Sequence, residues 1–228
     1  MADFKKYIET VLKYEGGHSA DPDDNALKTG HTGVKGKTIN PATGKPYDAD
    51  YPNNYIHTNK GILWSGYKKY KKDKGQTPDL NEYLQMSKAL WIDYYKTMYW
   101  DKVRGDEIKL QPIAEFLLDA KWLGGGMRLI NDIQKYLKIP VTGVIDNATL
   151  TALNTRFKNP KNLEIFANFM YKARMAYLSS LSDWNKYKGG WSKRTKNLLD
   201  RAKSFIAQMK FFWLWQLLPV VAIGTFFF

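Results

Sequence analysis

From Gly61 to Lys210 the apolar side chains return every three or four residues, with only short breaks at Gly, Pro and Asn. That spacing is the mark of amphipathic helices and predicts a mainly α fold for the body of the chain. Ile62, Leu63, Tyr67 and Tyr70 open the pattern. Thr77-Pro78 reads as a helix start, with Leu80, Leu84, Leu90, Trp91, Tyr94, Tyr95 and Met98 forming the apolar face that follows. A further helix runs from about Pro112 to Trp122 and stops at Gly124-Gly125-Gly126. Met127 to Leu137 and Asp146 to Leu153 make two more. Asn159-Pro160 opens a long one, with Leu163, Phe166, Met170, Tyr177 and Leu181 inward. Beyond Gly189-Gly190-Trp191 a basic helix, from Ser192 to Lys210, is expected.

Ahead of this body, Asp3 is an N-cap, and Phe4, Ile8, Val11 and Leu12 follow at helical spacing. Glu15 continues their stripe, and Gly16-Gly17 ends the helix. Residues 18–60 then lose all periodicity. Asp21-Pro22-Asp23-Asp24, Thr29-Gly30, Asn40-Pro41 and Thr43-Gly44-Lys45-Pro46 are turn chemistry, and a loop this long inside a domain is usually functional. Short strands around Lys35–Ile39 and Tyr55–His57 would form a small β-hairpin within it.

The 228 residues, 44% apolar, can bury one sizeable core, with or without a small accessory subdomain. Thirty-five Lys and Arg against 22 Asp and Glu give a charge of +13, which favours an anionic partner such as nucleic acid, anionic lipid or an envelope polymer. No nucleic-acid-binding signature accompanies the charge, so nucleic acid is not expected. The absence of cysteine excludes disulfides, thiolate ligands and a Cys nucleophile. Charges at Asp3, Lys5, Lys6, Glu9 and Lys13 exclude a signal peptide at the start. Residues 211–228 carry no charge and have the length of a short membrane-spanning helix, about 17–25 residues. They are read as a C-terminal hydrophobic helix, either transmembrane or buried against a partner.

Glu15 is the residue whose setting suits chemistry. A glycosidase general acid must stay protonated near neutral pH. Placement on an apolar stripe raises a carboxyl pKa by desolvation, and the negative end of a helix dipole acts in the same direction. Gly16 and Gly17 leave the backbone bare for a bulky sugar. His18, His31 and His57 match no zinc spacing and read as loop histidines, and Ser19 beside His18 is no hydrolase triad. No metal and no cofactor is expected.

Several stretches in order resemble one family. They are Val11-Leu12-Lys13-Tyr14-Glu15-Gly16-Gly17 with Asp21-Pro22-Asp23-Asp24, Tyr95 to Tyr99-Trp100, and Ile113-Ala114-Glu115-Phe116-Leu117-Leu118-Asp119-Ala120. Leu129 to Leu153 follows, with Ile133-Gln134, Leu137, Gly143, Ile145 and Thr149-Leu150, and Gly190-Trp191-Ser192-Lys193-Arg194 closes the series. Together they are similar to glycoside hydrolase family 108, lysozyme-like N-acetylmuramidases found among phage endolysins. The resemblance implies a lysozyme-like helical domain acting on peptidoglycan at the bacterial cell envelope. Glu15 then matches the catalytic acid, protonating the oxygen between N-acetylmuramic acid and N-acetylglucosamine. Asp21, Asp23 or Asp24 would supply the second group, and Gly16, Gly17, Tyr95, Trp100 and Trp122 would contact substrate.

The sequence departs from the family pattern in two places. Residues 25–60 replace a much shorter segment, and Gly61-Ile62-Leu63-Trp64 stands where Gly-Ile-Thr is expected. If the family Thr orients water, Thr58 is the replacement. Lys121-Trp122-Leu123-Gly124-Gly125 also lacks the Asn that the family tends to carry before its Gly.

The resulting domain expectation is a catalytic region over 1–125, a helical peptidoglycan-binding segment over 126–190, a basic helix over 191–210 and the tail over 211–228. The alternatives are a domain that holds peptidoglycan without cutting it, and a structural component of a phage or injection apparatus contacting membrane or machine through the tail. The basic residues before the tail would keep the body cytoplasmic by the positive-inside tendency, opposite to peptidoglycan. So the tail engages at lysis, or an external machine delivers the enzyme, or the tail is no simple anchor.

Overall fold

The computed structural model describes residues 1–14, 18–19, 34–35, 55–56 and 58–217. It is mainly helical, as the periodicity predicts, and divides into two compact units, one of Asp3–Lys102 and one of Val103–Phe228 together with Met1–Ala2.

In the first unit, helix α1 spans Lys5–Tyr14. The Asp3 carboxylate accepts from the Lys5 N–H at 2.9 Å, satisfying a donor that the helix start leaves open. Phe4, Tyr7, Ile8 and Val11 are buried, so the inward stripe is the expected one with Tyr7 added. Five short strands follow: β1 His18–Ser19, β2 Val34–Lys35, β3 Tyr55–Ile56, β4 Thr58–Asn59 and β5 Ile62–Leu63. β2 pairs with β3, Val34 opposite Ile56, which places the expected hairpin partners together. A second, antiparallel sheet has the order β1-β4-β5.

The stretch from Gly61 was expected to begin a helix; instead Ile62–Leu63 is a strand. Lys60 and Gly61 both have positive φ, 49° and 76°, the geometry of a two-residue hairpin turn. Ile62 is fully buried, and its carbonyl accepts the Tyr83 hydroxyl at 2.7 Å. Two apolar residues cannot distinguish strand from helix by spacing, and packing decided.

Helix α2 then spans Trp64–Asp73, α3 Leu80–Leu84 and α4 Lys88–Tyr95. The expected start at Thr77-Pro78 moves to Leu80, because the Asp79 carboxylate caps α3 by accepting from the Glu82 N–H at 2.7 Å. Ser87 caps α4 through Leu90. A π-helical stretch, Lys96–Trp100, continues α4 and brings Trp100 into the core.

The second unit contains α5 Gln111–Trp122, α6 Gly126–Leu137, α7 Asn147–Arg156, α8 Pro160–Ser179 and α9 Trp184–Leu217. Every residue of α5 from Gln111 to Ala120 is buried, so α5 is the central helix, packed by α6, α8 and α9. α8 and α9 pack along each other, with Leu163, Phe166, Met170, Leu198, Ala202 and Ile206 between elements. Leu178, rather than the expected Tyr177, is the buried residue near the end of α8.

A break at Gly189-Gly190 was expected; α9 instead runs through both glycines without interruption. Two interior glycines cost about 2 kcal/mol relative to alanine. Rings and ion pairs along the same helix offset that cost. Trp191 packs against Trp184 and Tyr187, with centroids 6.3 and 5.4 Å apart. Arg194 pairs with Asp119 and Arg201 with Glu115, at 2.5 and 2.7 Å.

Of the apolar C-terminus, residues 211–217 complete α9, and 218–228 lie outside the described residues. Among the described residues no helix is long and apolar enough to cross a membrane, so the transmembrane expectation finds no support.

Candidate active site

Helix α1 delivers the chain to the three-stranded sheet. It ends at Tyr14, and β1 begins at His18 as an edge strand paired to β4, with Ser19 opposite Thr58 and His18 opposite Asn59. Glu15, Gly16, Gly17, Asp21, Asp23 and Asp24 lie outside the described residues. The sheet on the far side of that connection is described, and Thr58 sits half-buried on its central strand. Opposite Thr58 on β5 is Leu63. Directly paired residues of an antiparallel ladder project from the same face, so Thr58 and Leu63 are side-by-side neighbours.

Four more hydrogen bonds, besides that from Tyr83 to Ile62, fix the β4–β5 hairpin. The Asn59 amide donates to the Tyr83 and Leu84 carbonyls at 2.5 and 3.2 Å. The Lys60 amine donates to the Met86 carbonyl at 2.6 Å, and the Trp91 indole donates to the Lys60 carbonyl at 3.0 Å. Thr58 therefore stands on a rigid strand, a sound support for a functional hydroxyl. Asn59 is 1% exposed, and its role was not foreseen from the sequence. The signal available was Asn-Lys-Gly between two short apolar runs, a hairpin pattern.

Two expected substrate contacts are corrected by their burial. Tyr95 is fully buried with its ring 4.1 Å from that of Trp91, and Trp100 is fully buried with its ring 5.4 Å from that of Phe4. A ring without exposed surface offers no face to a sugar, so both are core residues. Trp122 is half-buried at the end of α5, in the second unit. The first unit instead leaves Trp64 half-buried. Its ring stacks on Tyr67 at 5.4 Å and 20°, with the Lys68 amine 5.9 Å from its centroid.

The carboxylates near these rings hold their charge. Glu82 accepts from Lys71 and Tyr67, which keep it below the usual carboxylate range. Burial pushes Asp93 up, but bonds from Lys74 and Tyr70 outweigh it and leave it low. Burial and the Glu82 carboxylate push the Tyr67 hydroxyl well above its ordinary value. Two tyrosine–carboxylate–lysine chains of this kind stiffen the unit, and neither carboxylate is suited to act as a general acid at neutral pH.

In the second unit the residues that carried the sequence resemblance prove to be partners of one another. Arg194 of Gly-Trp-x-x-Arg donates to Asp119 on α5 at 2.5 Å, and both are nearly inaccessible. Arg174 Nε lies 3.4 Å from the same aspartate, and its Nη1 donates to the Gly124 carbonyl at 2.6 Å. Burial pulls the Arg174 pKa down, and Asp119 partly restores it. Gln134, fully buried, accepts from the Thr142 and Gly143 N–H groups and donates to Thr149 at 2.9 Å. That bonding closes the loop between α6 and α7.

The similarity to known proteins agrees with this arrangement. Residues 8–125 match the profile of the family described as Glycosyl hydrolase 108, which is more than half of the 228 residues. No curated protein matches the chain. Among solved structures, the fold is similar to that of Brucella abortus SagA, at 24% identity and a TM-score of 0.61, over 89% of this chain and 95% of that one. With most of α1, the β1-β4-β5 sheet and α2 to α5 within the matched segment, the chain belongs to glycosyl hydrolase family 108.

Proposed function

We propose that the chain is an N-acetylmuramidase, cleaving peptidoglycan between N-acetylmuramic acid and N-acetylglucosamine with Glu15 as general acid. Family membership supports a peptidoglycan hydrolase acting at the cell envelope in general terms. The observation that carries the finer reading is the phase of α1. Phe4, Ile8 and Val11 are buried, and position 15 is the next step of that inward stripe, four residues beyond Val11. By that spacing a carboxyl at position 15 would lose hydration and meet the negative end of a helix dipole, and both effects favour the protonated acid. Gly16 and Gly17 give the leaving sugar room.

Thr58 takes the water-orienting role in this reading. The family pattern has Gly-Ile-Thr where this chain has Gly61-Ile62-Leu63, and Thr58 is the cross-strand partner of Leu63. A hydroxyl is therefore restored on the same face of the same sheet, one strand over. Asp21 or Asp24 supplies the charge that stabilises the oxocarbenium-like state. Trp122 is retained as a substrate contact, and the expected segments 1–125, 126–190 and 191–210 serve as catalytic, wall-holding and closing regions.

The bond assignment is tested on purified sacculi. Products reduced with borohydride and weighed by mass spectrometry should carry muramitol ends; glucosaminitol ends would overturn it. Binding without any product across pH 4–8 would favour the non-catalytic alternative, for which the Thr-to-Leu departure at Leu63 is the motive.

A further inference from the structure

The second unit contains a cavity of about 210 Å³ that the proposed reaction does not use. It lies where α6, α7 and α8 converge and is lined by Tyr136, Leu137, Arg156, Phe157, Asn162 and Ile165. Its floor is apolar. Leu137 and Phe157 are buried, and Phe157 stacks face to face on Phe166 at 3.9 Å. Its walls are mixed and open to water, with the Tyr136 ring 40% exposed and Ile165 52% beside Arg156 and Asn162. The Tyr136 ring is held by Phe166 and Phe169, with centroids 5.2 and 4.5 Å away.

The polar side chains are three: the Arg156 guanidinium, the Asn162 amide and the Tyr136 hydroxyl. Arg156 is exposed, and its Nη1 donates to the Leu137 carbonyl at 2.5 Å, which anchors one end of the guanidinium. Asn162 adds an exposed amide. No carboxylate lines the cavity. Of the charged residues next in sequence to a lining residue, Lys138, Lys158 and Lys161 are exposed, and the one carboxylate, Glu164, is paired with Lys210 at 2.9 Å. An apolar floor beneath an anchored guanidinium, in a positive field, suits a ligand with an apolar body and an anionic end.

The size narrows the choice. At about 210 Å³ the cavity falls below the roughly 300–1,000 Å³ of sites for drug-sized ligands. Of its three polar side chains only Arg156 carries charge, which favours an anionic group over the neutral hydroxyls of a sugar ring. A carboxylate, by contrast, pairs with a guanidinium through parallel charge-assisted bonds, while a small side chain removes the floor from water. We propose that this cavity binds the free carboxyl end of a short peptide whose last side chain is small and apolar. Peptide stems of that class hang from peptidoglycan strands, and for this source the inference rests on the proposed function.

The test is calorimetric titration of the full chain with the pentapeptide L-Ala-D-Glu-L-Lys-D-Ala-D-Ala and with its C-terminal amide. Saturable binding of the acid is expected, weakened about tenfold or more in the amide, as loss of one charge-assisted contact requires. Ile165→Glu, a change at an exposed position that places a carboxylate at the mouth, should abolish binding while the melting temperature stays put. Equal affinity for acid and amide, wild-type affinity in Ile165→Glu, or binding of a chitotriose at the same site in place of the peptide would overturn the proposal. So would absence of binding by the folded chain. Glu15→Gln should bind the peptide as wild type does. Peptide binding without release of sugar ends by wild type would therefore refute the muramidase reading alone, and the reverse outcome the cavity alone.

Discussion

Thr58 and Leu63 face the same side of the β4–β5 pair, so the position of the hydroxyl can be tested by moving it. Thr58→Val should lower kcat/KM on sacculi by about 10²-fold, the lower end for loss of a group that handles the attacking water. Leu63→Thr in that background should recover part of the loss. Wild-type rates in Thr58→Val would remove Thr58 from the mechanism. At the same scale, Arg194→Leu leaves Asp119 buried beside Arg174 alone, and a broken buried pair costs about 3–5 kcal/mol. Denaturant unfolding that shows less than 1 kcal/mol would contradict this role. The sequence displayed these residues without their partners. Asp119 and Arg194 stood out in two separate motifs 75 positions apart, and only packing joins them. Gln134 and Thr149 likewise stood out only as parts of one motif, and packing shows that they tie a loop. Tyr95 and Trp100 were read as sugar-binding rings because composition cannot tell a buried ring from a presented one.

Among the elements, α9 makes the sharpest contrast with its sequence. Gly189 and Gly190 lie inside the helix, and a Cβ added at either would meet nothing within 4 Å. Replacing both by alanine should stabilise the chain by about 1–2 kcal/mol, read as a rise of about 2–4 °C in Tm per kcal/mol. A fall in Tm would mean that the chain turns there, as the bare sequence suggests. Gly125 behaves oppositely. Its φ is +83°, and a Cβ would lie 2.5 Å from the Tyr177 ring, so Gly125→Ala should destabilise. The starts of helices α5 to α8 were legible almost to the residue because Pro112, Asn159-Pro160 and Gly124-Gly125-Gly126 are local punctuation. The β4–β5 hairpin was not. Its strands are two residues long, and what holds them comes from Tyr83, Met86 and Trp91, more than twenty positions away.

For the whole molecule, the pattern of charge sets the response to acid. Glu82 is held low by Lys71 and Tyr67, and Asp146 by the Thr149 N–H and hydroxyl; Asp93 stays low because Lys74 and Tyr70 outweigh its burial. A carboxylate whose folded pKa lies below its unfolded value adds stability above the unfolded pKa and loses it as pH falls through the folded one. Stability should therefore hold from pH 7 to about 5 and decline below about 4, where free Asp and Glu titrate. A Tm that rises on acidification through that window would contradict the assignment of these pairs. The mainly helical architecture was legible from apolar spacing, and the family from its ordered motifs. The division into units at Lys102 and Val103 was not, since no linker composition marks it. The central claim is that Glu15 donates the proton. Wild type and Glu15→Gln, matched in Tm, should be compared for reducing ends released from purified sacculi. The expected result is release by wild type and a loss of about 10²–10⁴-fold in the variant. Equal release by the two would contradict the assignment of Glu15.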